Sequence, residues 1–166
     1  MLNPNRRVRD AVRAAIIAGA LILASRPGSA AELAVFASGA TPGPNWGGGF
    51  GVSLTITLLN LVGVELEGAR QGGAIMGSEM FSASGRAFLA PPIGRFVPYG
   101  GFAAGAYKQS LGSQDQWGTV TGAFVGARIK LPLGLLVKGE YEWVRVPNDA
   151  LIAIDGRFYG GVGISF

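Results

Sequence analysis

Six stretches of this chain alternate apolar with small or polar side chains at a period of two, and that pattern constrains the fold more than any other feature. Over residues 49–58 (GFGVSLTITL), Phe50, Val52, Leu54, Ile56 and Leu58 share one face; Gly49, Gly51, Ser53, Thr55 and Thr57 share the other. Over 61–69, Val62, Val64 and Leu66 alternate with Gly63, Glu65 and Glu67. Over 80–89, Phe81, Ala83, Ala87 and Leu89 alternate with Ser82, Ser84, Arg86 and Phe88. Over 122–130, Ala123, Val125, Ala127 and Ile129 oppose Gly126, Arg128 and Lys130. Over 135–143, Val137, Tyr141 and Trp143 oppose Lys138, Glu140 and Glu142. Over 157–166, Phe158, Val162, Ile164 and Phe166 oppose Arg157, Tyr159, Gly161, Gly163 and Ser165. A helix cannot sort side chains this way, whereas a strand must, because successive side chains leave it on opposite faces.

Two further strands complete an even set of eight. Residues 32–38 (ELAVFAS) form the first and residues 96–107 (FVPYGGFAAGAY) the fifth, whose inward face is ambiguous and whose Pro98 suits only a rim. The connections 59–60, 90–94 and 131–134 are short. Those at 39–46, 70–78, 108–117 and 145–149 are mostly longer, polar or glycine-rich. Short turns at one end and longer loops at the other are the pattern of an antiparallel barrel that crosses a membrane.

The choice between such a barrel and a soluble one rests on which face is covered. In a soluble barrel the large apolar side chains fill the interior. Here the polar face carries both signs of charge among many glycines and serines, in a chain with 28 Gly, which suits a narrow lumen; the apolar face suits lipid. A closed barrel pairs every backbone group, so strands can cross a bilayer only in that form. The soluble barrel is the competing reading.

The first 31 residues read as a secretory signal peptide. A basic segment, Arg6 to Arg13, precedes an 11-residue apolar run (AAIIAGALILA), then SRPGSAAE, with Ser29 and Ala31 at −3 and −1 if cleavage follows Ala31. Eleven apolar residues fall short of the roughly 20 that a membrane-crossing helix needs. The leader also explains the net charge of +4: five of the 14 basic residues and one of the 10 acidic ones precede residue 32, leaving nine of each sign. The basic balance therefore gives no reason to expect a nucleic-acid partner. The domain expectation is a signal peptide at 1–31 and a barrel at 32–166.

The chain ends YGGVGISF. Tyr159, Gly161, Ile164 and Phe166 match the terminal strand pattern by which outer-membrane barrels are handed to their assembly machinery: an aromatic or polar residue, a glycine two later, then two apolar residues ending in phenylalanine. The stretches VPYGGFAAGAY and GAFVGARIKLPLGLLVKGEYEWV resemble the later strands of the small outer-membrane β-barrel superfamily, which includes OmpA/OmpX-type barrels and opacity-type porin family proteins. Lys138, Glu140, Tyr141 and Trp143 carry the basic-x-glutamate-tyrosine ending of that superfamily's penultimate hairpin. The resemblance implies an eight-stranded antiparallel transmembrane β-barrel in the cell outer membrane. Its partners would be outer-membrane lipid and, through the C-terminal strand, the barrel assembly machinery. It names no extracellular partner.

Little in the sequence points to chemistry. With no cysteine there is no disulfide and no thiolate metal site, and with no histidine the commonest general base and metal ligand is missing. The enzymes of the resembled superfamily rely on histidine, so no catalytic, cofactor or metal site is expected. Glu65, Glu67, Arg86, Arg128, Lys130, Lys138, Glu140, Glu142 and Arg157 project inward on the register above. Their near-equal numbers of each sign suggest a lumenal charge network rather than an acid/base pair. Across the last short turn, Arg128 is expected to face Lys138 and to reach Glu140 diagonally. Asp115, in the third long connection, is a lone carboxylate and weak evidence for calcium. A structural or surface-interaction role through the extracellular loops is the expected function; a narrow channel or solute carrier is the alternative.

Overall fold

A computed structural model describes residues 29–41, 47–72, 77–146, 150 and 154–166. They form eight strands: β1 (Ser29–Thr41), β2 (Gly47–Leu58), β3 (Val62–Gly72), β4 (Ser78–Leu89), β5 (Phe96–Leu111), β6 (Gln114–Lys130), β7 (Leu135–Arg145) and β8 (Gly156–Ser165). Each pairs antiparallel with its neighbour in sequence, and β1 closes on β8. Strands of 10 to 17 residues match or exceed the roughly 9–11 that a tilted strand needs to cross a bilayer.

The residues 1–28 of the expected leader lie outside the described residues. The described strand β1 starts at Ser29, so the expected boundary after Ala31 falls inside it. Ala31 exchanges both backbone hydrogen bonds with Phe166, at 3.1 and 2.9 Å. Cleavage after Ala31 would remove that rung from the end of the ladder.

The facing follows the alternation. Val62, Val64, Leu66, Phe81, Leu89, Val125, Ile129, Val137, Trp143, Phe158, Val162 and Ile164 are exposed on the outer wall. Between them Glu65, Glu67, Ser82, Ser84, Arg86, Arg128, Lys138, Glu140, Glu142, Arg157 and Tyr159 are buried in the lumen. Ile56 and its β1 neighbour Ala31 share the outward register but are buried. β5, ambiguous in sequence, turns Val97, Tyr99, Ala103, Tyr107 and Gln109 inward and leaves Phe102 75% exposed outside.

One connection differs from expectation. Residues 108–117 are not a long loop: β5 and β6 stay paired to Leu111 and Gln114. Gly112 has φ +60°, and Ser113 has an ordinary negative φ, so the two-residue turn has the type II′ pattern, with glycine first. At the opposite end, Leu59 and Asn60 have φ of 52° and 54° and Leu61 N–H donates to Leu58 O, which makes a type I′ turn between β2 and β3.

Candidate functional site: the lumen

Aromatic rings enter this narrow barrel because glycines face them. Phe36 lies between Gly51 on β2 and Gly161 on β8; Phe88 lies between Gly63 on β3 and Gly101 on β5; Tyr99 faces Gly126 on β6. A Cβ at Gly126 would sit 2.7 Å from Tyr99 Cζ and from the Gly139 carbonyl; a Cβ at Gly51 would meet the Phe36 ring and Gly68 O at 2.6 Å. Gly51, Gly63 and Gly126 are thus the seats of rings on the next strand, while Gly101 and Gly161 leave room for the backbone and Cβ of Phe88 and Phe36. Phe124 packs edge to face on Phe88 and Tyr99, which are tilted against each other, with centroids 5.6–6.3 Å apart.

On this aromatic lining stands a central ion cluster. Arg86, with a fully buried guanidinium, is its hub. It meets Glu65 at 2.6 Å, Glu67 at 3.0 Å, Glu140 in direct contact and Glu142 at 3.6 Å. Its guanidinium also stacks 3.8 Å over the Phe124 ring. Lys138 reaches Glu65 at 3.2 Å and Ser53 at 3.0 Å, while Thr55 donates to Glu65 at 2.6 Å. Arg157 binds Glu142 at 3.0 Å and lies 3.8 Å from Glu67; the Tyr159 hydroxyl bridges the same two carboxylates at 2.8 and 3.1 Å. Among the described residues Glu140 pairs with Arg86 alone, through Oε1; its Oε2 and the Tyr99 hydroxyl are buried without a hydrogen-bond partner there. The cluster, counted over the described residues, therefore holds four carboxylates against three cations.

A second group occupies the short-turn end. Arg128 Nη1 donates to Glu32 at 2.5 Å and Nη2 to Thr57 at 3.2 Å, and Lys130 stands 3.7 Å from the same glutamate. Arg128 does face Lys138 across β6 and β7, as the turn predicts, but it does not reach Glu140. The expected hairpin pair is replaced by contacts across the barrel, Arg128 to β1 and Glu140 to β4. In a narrow lumen long side chains converge on the axis, so a partner on a distant strand lies within reach. Glu32 was missed in sequence because the first strand, with Phe36 on its polar side, gives no clear facing.

The loop end is closed by apolar packing of Ala40, Met80, Tyr107, Val120, Val144 and Ile154. Outside, a row of register partners runs obliquely across β2 to β6: Phe50, Arg70, Phe81, Lys108, Trp117. Just above it Arg70 pairs with Glu79, and Lys108 with Asp115 at 2.6 Å. Asp115 also accepts from Ser110. These partners hold its carboxyl below the usual aspartate range, chiefly through the hydrogen bond from Lys108 and then that from Ser110. Among the described residues no group of His, Cys, Asp or Glu is arranged to hold a metal ion.

A closed eight-stranded antiparallel wall with an apolar exterior and a charged, filled interior decides the architecture. The fold is that of the small outer-membrane β-barrels. Neisserial surface protein A (NspA) is similar over 84% of this chain and 98% of its own, with TM-score 0.66 and 14% identity. The N-terminal β-barrel domain of Pseudomonas aeruginosa OprF is similar over 82% and 97%, with TM-score 0.59 and 16% identity. Ail, the attachment invasion locus protein of Yersinia pestis, is similar over 85% and 100%, with TM-score 0.56 and 17% identity. At such identities the likeness is one of fold. No family model and no curated protein matches the sequence. The OmpA/OmpX-type architecture is thus reached with a lumenal network built from this chain's own residues.

Proposed function

We propose that this chain is an outer-membrane protein whose barrel is a rigid, closed anchor for its loop end, and that it works by surface interaction rather than by conduction. The observation that carries the reading is the lumen: ion pairs fill its middle, and the cluster around Met80, Tyr107 and Ile154 covers its loop end. An eight-stranded barrel is just wide enough for side chains to fill. Towards the loop end, exposed Phe81 beside Arg70 and exposed Trp117 beside Lys108 suit a membrane interface, where aromatic rings and basic heads meet lipid headgroups. That two structural neighbours are named as a surface protein and an attachment invasion locus protein agrees with a surface role.

On this reading the leader is removed near Ala31. The strand ending at Ile164 and Phe166, with Tyr159 and Gly161 on its lumenal side, addresses the barrel assembly machinery, and the exposed apolar wall meets outer-membrane lipid. The deciding experiment is planar-bilayer recording with the purified barrel. A closed anchor gives no steady conductance steps, whereas reproducible single-channel openings would replace this reading with the narrow channel. Mass spectrometry of the mature N-terminus and envelope fractionation test export; recovery in the cytosol with Met1 intact would refute it.

A further inference from the structure

At the short-turn end the lumen opens into a cavity of about 210 Å³ lined by Thr57, Asn60, Val97, Arg128 and Lys130, among others. Its wall is basic, and among the described residues its charges do not balance. Arg128 and Lys130 share one carboxylate, Glu32, which is not among the lining residues. Arg128 is 4% exposed; two of its nitrogens are committed to Glu32 and Thr57, while its buried Nε has no hydrogen-bond partner among the described residues. Lys130 is half-buried at the lip, and its 3.7 Å separation from Glu32 is too long for a hydrogen bond. The surplus carboxylate of the central cluster, Glu140, pairs with Arg86, and none of the four carboxylates there forms an ion pair with Arg128 or Lys130. A buried guanidinium and a half-buried ammonium that share one carboxylate are stabilised by an anion that also satisfies their free donors.

We propose that this cavity binds a small oxyanion, a phosphate or carboxylate group, between Arg128 and Lys130. One negative charge brings the side chains of Arg128, Lys130 and Glu32, with the ligand, to two cations against two anions. The hydroxyl of Thr57 and the amide of Asn60 supply further polar contacts on the wall. At roughly 30 Å³ per water, the cavity holds one such group with a few waters and excludes an oligosaccharide or a folded peptide. The site belongs to the folded barrel and does not depend on which compartment the short-turn end meets.

The test is an NMR titration of the isotope-labelled barrel in detergent micelles with sodium phosphate and, separately, sodium acetate, each against sodium chloride of matched ionic strength. Saturable shifts are expected at the amides of Thr57, Asn60, Gly94 and Lys130, with at least one oxyanion and not with chloride. The arm that responds identifies phosphate or carboxylate as the preferred group. Lys130→Gln, at a half-exposed position, should weaken the apparent affinity about tenfold, while Arg145→Gln at the loop end should leave it unchanged. Shifts that follow ionic strength alone would overturn the site. So would shifts equally large at Arg70, Lys108 and Arg145, or a titration that Lys130→Gln leaves unaltered.

Discussion

Replacing Arg86 by Met tests whether the lumen behaves as a dry, paired interior. The guanidinium is fully buried and touches four carboxylates. After the change Glu65 keeps Lys138 and Thr55, and Glu67 and Glu142 keep Arg157 and Tyr159. Among the described residues Glu140 is left with no cation in contact. Removing one partner of a buried ion pair typically costs about 3–5 kcal/mol, because the other charge stays buried and unpaired. That is a large share of the roughly 5–15 kcal/mol by which a folded domain is stable. Glu140→Gln alone removes the surplus carboxylate of the cluster and should cost less than about 2 kcal/mol, the scale of one charge-assisted hydrogen bond. In the double variant the neutral amide that replaces the Glu140 carboxylate no longer needs Arg86. Most of the Arg86→Met penalty should then disappear, a coupling of about 2 kcal/mol or more. Equilibrium urea unfolding in micelles, followed by tryptophan fluorescence and by the heat-modifiable gel shift, measures all four corners of the cycle. A loss below about 1 kcal/mol for Arg86→Met, or additive single and double effects, would mean that lumenal water screens these charges and that the pairing energetics are wrong.

Three other outcomes follow from the same geometry. Gly126→Ala should destabilise the barrel by about 1–3 kcal/mol through overpacking against Tyr99, and Tyr99→Leu in the same background should relieve part of that loss in the same urea assay. Ile164→Lys or Phe166→Lys should impair assembly into vesicles more than Ser165→Lys, since a lysine on the lipid face costs roughly 2–4 kcal/mol at mid-depth and less near the rim; equal assembly of the three variants would contradict the facing of β8. At the β5–β6 tip, the Asp115 carboxyl is held below its ordinary range, so its contribution to hairpin order is present above the unfolded carboxylate range and is lost as pH falls through its folded value. Amide shifts of Gly112 and Ser113 should therefore titrate in acid, and Asp115→Asn should abolish that titration.

Much of this architecture was legible in the sequence because a strand has a fixed period. Once Val137, Tyr141 and Trp143 alternate with Lys138, Glu140 and Glu142, no freedom is left over which of them meets the interior; the same holds for β3, β4, β6 and β8. The register of Arg128 against Lys138 followed from the shortness of the turn at 131–134. Three things were decided only in the folded chain. The partners of lumenal charges are set by distance across the axis rather than along a hairpin, which is why Arg128 meets Glu32, 96 residues away in sequence, and Arg86 meets Glu140. The facing of β1 and β5 depended on glycines elsewhere: Phe36 and Tyr99 can enter the lumen only because Gly51, Gly161 and Gly126 stand opposite on neighbouring strands. The extent of β5 and β6 rested on the turn geometry at Gly112 and Ser113 together with the Lys108–Asp115 pair, which converts a polar, loop-like segment into a hairpin. Local periodicity fixes which side of the wall a residue takes, but what it touches there depends on how the wall is rolled, and that is a property of all eight strands at once.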